Sequence, residues 1–242
     1  MLGGCDENAV QDITGPAEGA RVRFFNFAVN APGVNFYANA TKLTAITSTS
    51  GSESTTGTTY GGAGSAGFYS AIAAGQYSLT GKIAAATDKD LTIAQASTNL
   101  ESGKKYSFFM SGFYNTTAKS SEAFVVEDPF AEPADYNVAS VRFVHAISNA
   151  TPMTLYARNT VTAQEVAVGG SVAYKAAGAF TSLPPGSYDL FARFTGSTIN
   201  TITRTAVPFA GGRIYTVSSR GDITVTSTTA ATRPLLDNTP NR

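Results

Sequence analysis

His145 is the only histidine of this chain and Cys5 its only cysteine, so the side chains that most often carry catalysis or hold metals are scarce. A lone imidazole can act as a base or a ligand. One histidine cannot build a multi-histidine zinc site, and Cys5 lies far away along the chain. No carboxylate near His145 has a spacing that marks it as a partner. Ser182 and Ser187 flank a Pro-Gly turn and lack the elbow pattern of a nucleophilic serine. Asp88, Asp90 and Asn99 fall in loop-like sequence without the Asp-x-Asp-x-Asp-Gly spacing of a calcium loop. Gly61-Gly62-Ala63-Gly64 lacks the strand-then-helix context of a phosphate cradle. The expectation is no catalytic constellation, no metal and no cofactor.

Two arginines are the other candidates. Arg23 and Arg142 occupy matched positions on strands, pointing away from the apolar side. A guanidinium there offers a bidentate fork for a carboxylate or another anion beside each first turn. The plainer reading is cross-strand pairing with an acid, or stacking on Tyr37 and Tyr156. Arg23, Arg142 and His145 are therefore the candidate ligand or anion contacts. Tyr77, Tyr106, Tyr188 and Tyr215 follow turn glycines at repeated places. They suit a carbohydrate platform less than a structural role, in which a tyrosine plugs a sandwich edge and its hydroxyl bonds the backbone. The absence of tryptophan points the same way.

The elements that must position these residues come as a repeat. Ala20-Arg21-Val22-Arg23-Phe24-Phe25-Asn26 runs into Asn30-Ala31-Pro32-Gly33 and then Val34-Asn35-Phe36-Tyr37-Ala38. Ala139-Ser140-Val141-Arg142-Phe143-Val144-His145 runs into Asn149-Ala150-Thr151-Pro152 and then Met153-Thr154-Leu155-Tyr156-Ala157. The copies lie 119 residues apart. Apolar side chains alternate with period two, and Gly or Pro turns recur every ten residues or so. Tyr69 to Leu79 matches Phe180 to Leu190. Ser102 to Phe108 matches Gly211 to Val217, where the offset has shrunk to 109. The lost residues come largely from the Ser/Thr stretch Thr47–Gly57, read as an insertion in an exposed loop. The expected architecture is all-β: two tandem immunoglobulin-like β-sandwich domains of about seven short strands each. A single large β-barrel is the alternative, and the repeat argues against it. Residues 1–18 read as a flexible leader, 19–126 as the first sandwich and 127–137 as a Pro- and acid-rich linker. Residues 138–226 read as the second sandwich and 227–242 as a polar tail, expected to fray. The best helix candidate, Val168 to Ala177, is weakened by Gly169-Gly170.

Composition narrows the class. The chain has 242 residues, 17 basic and 17 acidic side chains, and only 14% charged residues. An average soluble domain has about 25%. A balanced, sparse charge gives no basic patch for nucleic acid. No run approaches the length of a membrane span. Leu2-Gly3-Gly4-Cys5 resembles the end of a bacterial lipobox, in which the cysteine is lipidated. The basic and apolar segments that precede a lipobox are missing from the sequence as it stands.

The pattern Val22-Arg23-Phe24, Tyr37, Gly75 with Tyr77, and Gly103 with Tyr106 resembles the domain of unknown function 4397. So does Val141-Arg142-Phe143-Val144-His145-Ala146, Tyr156, Pro185-Gly186 with Tyr188, and Gly212 with Tyr215-Thr216. The resemblance implies an exported or lipoprotein sandwich domain, often in tandem, and brings no activity. The family pattern often has a histidine after the first strand. Here only the second copy has it, as His145, while the first has Asn26. A catalytic or metal role at that position cannot be shared by both copies. These signals together predict a non-enzymatic cell-envelope module, periplasmic or at the cell surface, tethered by a lipid on Cys5. Its expected partner is a protein or a glycan of the envelope. A structural or self-assembling surface protein is the alternative, and a hydrolase with an unrecognised site near His145 the least favoured reading.

Overall fold

The computed structural model describes residues 19–45, 52–130 and 135–241. Cys5, the leader and the first part of the Ser/Thr stretch lie outside the described residues. The first half carries strands β1 (Ala20–Asn26), β2 (Val34–Ala38), β3 (Thr41–Lys42), β4 (Gly62–Ala63), β5 (Ser70–Ile72), β6 (Gly75–Ile83), β7 (Thr92–Leu100), β8 (Lys105–Asn115) and β9 (Ser120–Glu127). The second carries β10 (Ala139–His145), β11 (Met153–Asn159), β12 (Glu165–Val172), β13 (Ala176–Ala177), β14 (Thr181–Leu183), β15 (Gly186–Phe194), β16 (Ile202–Phe209), β17 (Ile214–Arg220) and β18 (Leu235–Pro240). Each half is a two-sheet sandwich. In the first, one sheet runs β4-β1-β8-β9, with β5 also on β1, and the other runs β3-β2-β6-β7. The second repeats this as β13-β10-β17-β18, with β14 on β10, and β12-β11-β15-β16.

The first strand of each copy pairs in parallel with the penultimate strand of its domain, β1 with β8 and β10 with β17. A parallel pair at the centre of a sheet must be covered on both faces, and the burial shows it. Val22, Phe24, Phe36, Leu79, Leu100, Phe108 and Met110 fill the first sandwich. Val141, Phe143, Leu155, Tyr188, Leu190, Phe209 and Val217 fill the second. On the opposite face of the same central strands lies a third cluster shared by the two halves. It holds Phe25, Phe27, Phe109, Phe124 and Val126 from the first domain and Val144 and Ala146 from the second. The two sandwiches are thus packed sheet to sheet, and the outward faces of β1 and β10 are buried by each other's domain.

Two expectations change. The tail does not fray, because Leu235–Pro240 pairs with β17 from Tyr215 to Arg220 as the last strand of the second sheet. Ile223 and Thr224 form a turn ahead of it. Only Leu235 and Leu236 are large apolar residues in the tail, and a polar segment of this kind is expected to fray. Backbone pairing and the buried Leu236 hold it despite that polarity. The helix candidate is β12, whose Gly169 and Gly170 take positive φ opposite a register shift in β11. That left-handed geometry suits glycine and forms a bulge. Gly61-Gly62-Ala63-Gly64 contributes an edge strand as well as loop, since Ala63 and Gly62 pair with Phe25 and Asn26.

Candidate functional site at the seam between the domains

Arg23 and Arg142 point away from their own cores, as the alternation requires, yet neither reaches solvent. They are 0% and 1% exposed. The expected solvent-facing anion site beside each first turn is therefore not formed. Sequence alternation shows which side of a strand a residue takes, and says nothing about a second domain covering that side.

What the arginines meet follows the repeat. Arg23 Nε donates to Ser107 Oγ at 2.8 Å on the neighbouring strand of its own sheet. Arg142 Nε donates to Thr216 Oγ1 at 3.1 Å, the matching position of the second sheet. Each Nη2 then crosses the seam. Arg23 Nη2 donates to Asn241 Oδ1 at 2.6 Å, and Arg142 Nη2 to Asp128 Oδ1. Asp128 and Asn241 are themselves matched. Each follows the last strand of its domain, and each N–H donates to the first residue of the penultimate strand, Lys105 O or Ile214 O. The rings match too. Arg23 Cζ lies 4.7 Å from the Tyr69 ring centroid, and Arg142 Cζ lies 5.1 Å from that of Phe180. A second reciprocal pair closes the other end of the seam. Ser111 Oγ bonds Tyr174 Oη at 2.7 Å, and Arg220, the counterpart of Ser111, sits over Tyr60, the counterpart of Tyr174, at 5.1 Å. The domains meet through equivalent faces about an approximate two-fold axis, the geometry of an isologous dimer within one chain.

Asp128 is the residue that sequence reading missed. It falls in the Pro- and acid-rich segment 127–137, but its side chain is fully buried. It pairs with Arg142, lies 3.6 Å from Arg23 Nε, and accepts from Ser107 Oγ at 2.7 Å and from Tyr69 Oη. The pairing with an acid anticipated for the arginines is thus made, by an acid beyond the sheet. The anticipated stacking on Tyr37 and Tyr156 is not. Those rings carry Lys82 at 4.5 Å and Arg193 at 4.3 Å. Burial pulls the Arg23 pKa below the ordinary guanidinium value, and Arg142 pulls the same way, while Asp128 and Tyr69 oppose them. Burial and the Asp128 charge push the Tyr69 hydroxyl well above the usual phenol range.

His145 is 0% exposed and lies beside no acid among its hydrogen-bond partners. Its Nε2 faces the Thr151 carbonyl at 3.3 Å, which can only accept, so Nε2 carries the proton. Nδ1 then accepts from Ile147 N at 3.4 Å and Ser219 Oγ at 3.0 Å. Asn26 does the same work in the first copy. Its Nδ2 donates to Pro32 O at 3.3 Å, and its Oδ1 accepts from Ala28 N at 3.4 Å. Each of these partners is the repeat counterpart of its partner in the second copy. The imidazole and the carboxamide are interchangeable staples of the first turn. Burial lowers the His145 pKa, against the bonds to the Thr151 and Ala150 backbone, which keeps it neutral.

The tyrosines take the structural role. Tyr188 Oη donates to Pro184 O at 2.7 Å. Tyr106 Oη accepts from Glu101 N, and Tyr215 Oη from Ala210 N, each at 3.1 Å. Among the described residues no three His, Cys, Asp or Glu side chains come together as a metal site.

A search of curated proteins finds no match. Among solved structures, the Bacillus anthracis TIE protein is similar at 16% identity and a TM-score of 0.25, over 84% of this chain and 33% of that one. The chain thus spans about a third of that protein's length. The model of the domain of unknown function DUF4397 matches residues 20–156 and again 139–242. That double match, on the two sandwiches described above, places the chain in the DUF4397 family as a tandem pair of its domains.

Proposed function

We propose that this chain is a non-enzymatic binding module of the bacterial cell envelope, tethered through a lipid on Cys5, that takes a protein or glycan partner at its strand edges and loops. One observation carries the reading. The candidate ligand contacts and their acid are committed to holding the protein together: Arg23, Arg142 and Asp128 at the seam, and His145 at a turn that Asn26 holds in the other copy. Binding then falls to the periphery. The edge strand β16 borders a groove of about 490 Å³, closed on its other side by Ile223–Thr228 and Arg233–Leu235. An unpaired strand edge beside a groove suits an added strand. The outer-face tyrosines Tyr37 and Tyr156 are covered by cations, which favours a protein over a stacked sugar.

Two measurements test this. Expressed in a bacterial host behind the basic and apolar regions of a lipoprotein signal, with labelled palmitate, the chain is expected to incorporate label and fractionate with membranes, and the Cys5→Ser chain to do neither. Equal behaviour of the two removes the tether. The purified Cys5→Ser chain is then titrated against washed cell-wall sacculi, envelope vesicles and immobilised copies of itself. Saturable binding to the first two supports the module, and binding only to itself supports self-assembly instead. Hydrolysis of ester or glycoside substrates lost in His145→Asn would sink the non-enzymatic reading.

A further inference from the structure

The end of the seam that holds Arg23 and Arg142 contains, among the described residues, these two guanidiniums and one buried carboxylate, Asp128. Arg23 spends Nε on Ser107 and Nη2 on Asn241, with a longer contact to Thr216 Oγ1 at 3.5 Å. Its Nη1 is buried without a hydrogen-bond partner. The rings of Tyr69 and Phe25, 4.7 and 5.3 Å from Cζ, lie over the guanidinium and do not supply that partner, because the Nη1 hydrogens point outward in its plane. The repeat shows what is lacking. Where the first domain places Asp128, the second places Asn241, which accepts a hydrogen bond but carries no charge. The groups that act on Arg23 are Asp128, Arg142 and Tyr69. Tyr69 is held neutral by burial first and Asp128 next, so the buried trio of Arg23, Arg142 and Asp128 keeps one uncompensated positive charge. A buried charge in that state is costly unless it is paired.

We propose that the seam binds one small monovalent anion, chloride under ordinary conditions, at Arg23 Nη1. The anion supplies the charge that a second aspartate would have carried. A small ion of single charge suits the chemistry: in-plane N–H donors and one charge to balance. The site is independent of the binding role proposed above.

The test uses the full chain. Its melting temperature is measured as chloride replaces methanesulfonate at constant ionic strength. The expected result is a rise of about 3–6 °C for each tenfold increase above the dissociation constant. Sulfate at the same ionic strength is expected to give no such rise. Asn241→Asp, which places the missing charge covalently, is expected to abolish the chloride response and to melt no lower than the unsubstituted chain without chloride. A crystal soaked in bromide is expected to show an anomalous peak within hydrogen-bond distance of Arg23 Nη1. Melting that follows ionic strength whatever the anion overturns the proposal. So does a chloride response that survives Asn241→Asp, or a bromide map with no peak at Nη1. If Asn241→Asp fails to fold, the anion series and the bromide map on the unsubstituted chain decide.

Discussion

The two domains meet face to face with the same polar script and opposite apolar ones. Both use an arginine on the first strand, a hydroxyl beside it and an aromatic ring above it. Where the first domain presents Phe25, Phe27, Phe109 and Phe124, the matched positions of the second are Val144, Ala146, Ser218 and Asp237. Four phenyl rings on each side would collide, and four small residues on each side would leave a void. Large against small lets the two faces fit together. The charge is unequal as well, with Asp128 on one side and Asn241 on the other. Duplication supplies two faces of matching outline, and divergence in side-chain size and charge makes them prefer each other.

The sharpest way to break that asymmetry is Asp128→Asn, which makes the halves alike and leaves two buried guanidiniums without a carboxylate. Removing one partner of a buried ion pair costs about 3–5 kcal/mol. Denaturant unfolding is expected to show a loss of that size, and scattering an opened, longer particle. A stable closed chain would show that the seam does not depend on the pair. Phe109→Ala attacks the large side instead. Phe109 is stacked on Phe25 and Phe124 at 4.7 and 5.1 Å. Its loss is expected to cost about 3 kcal/mol, near the lower end for Phe to Ala because two domains can close on the cavity.

His145 sharpens the comparison further. His145→Ala leaves the Ile147 N–H and the Thr151 carbonyl unpaired and is expected to cost about 1–3 kcal/mol. His145→Asn rebuilds the first domain's staple and is expected to cost less than half as much by the same measurement. The two also differ with pH. The folded pKa of His145 lies below the unfolded value of 6.5, so the unfolded chain binds the proton more readily. The neutral ring's contribution is present above pH 6.5 and is lost as pH falls below it, until the folded pKa is passed. His145→Asn removes that part of the acid dependence, and an unchanged stability profile between pH 7 and 5 would refute the neutral buried ring. The smallest effect is expected from Tyr106→Phe and Tyr215→Phe. Each deletes one acceptor for a backbone N–H, about 0.5–1.5 kcal/mol. Unequal losses would show that the matched corners are not energetically matched.

Much of this was legible along the chain. Val22, Phe24, Val141 and Phe143 alternate with Arg23 and Arg142, which predicts the strands and their core faces. The spacing of Tyr37 and Tyr156 predicts two domains. Asp128 was not legible as a partner, because it follows a strand and precedes prolines, where acids are usually solvated. Its match to Asn241 was hidden while the tail was expected to fray. A polar hexapeptide such as Leu235–Pro240 pairs as a strand only if β17 offers it a free edge, which no local pattern records.

The amino-acid sequence alone determined the all-β class, the duplication and the inward side of each strand, because a period of two and recurrent turn residues are properties of neighbours along the chain. The tertiary structure alone decided what the outward side meets. Arg23 and Arg142 read as surface residues by alternation and are buried by a partner domain 119 residues away. Charge compensation and size complementarity act between residues distant in sequence. They turned two of the candidate ligand contacts, Arg23 and Arg142, into bonds that join the domains.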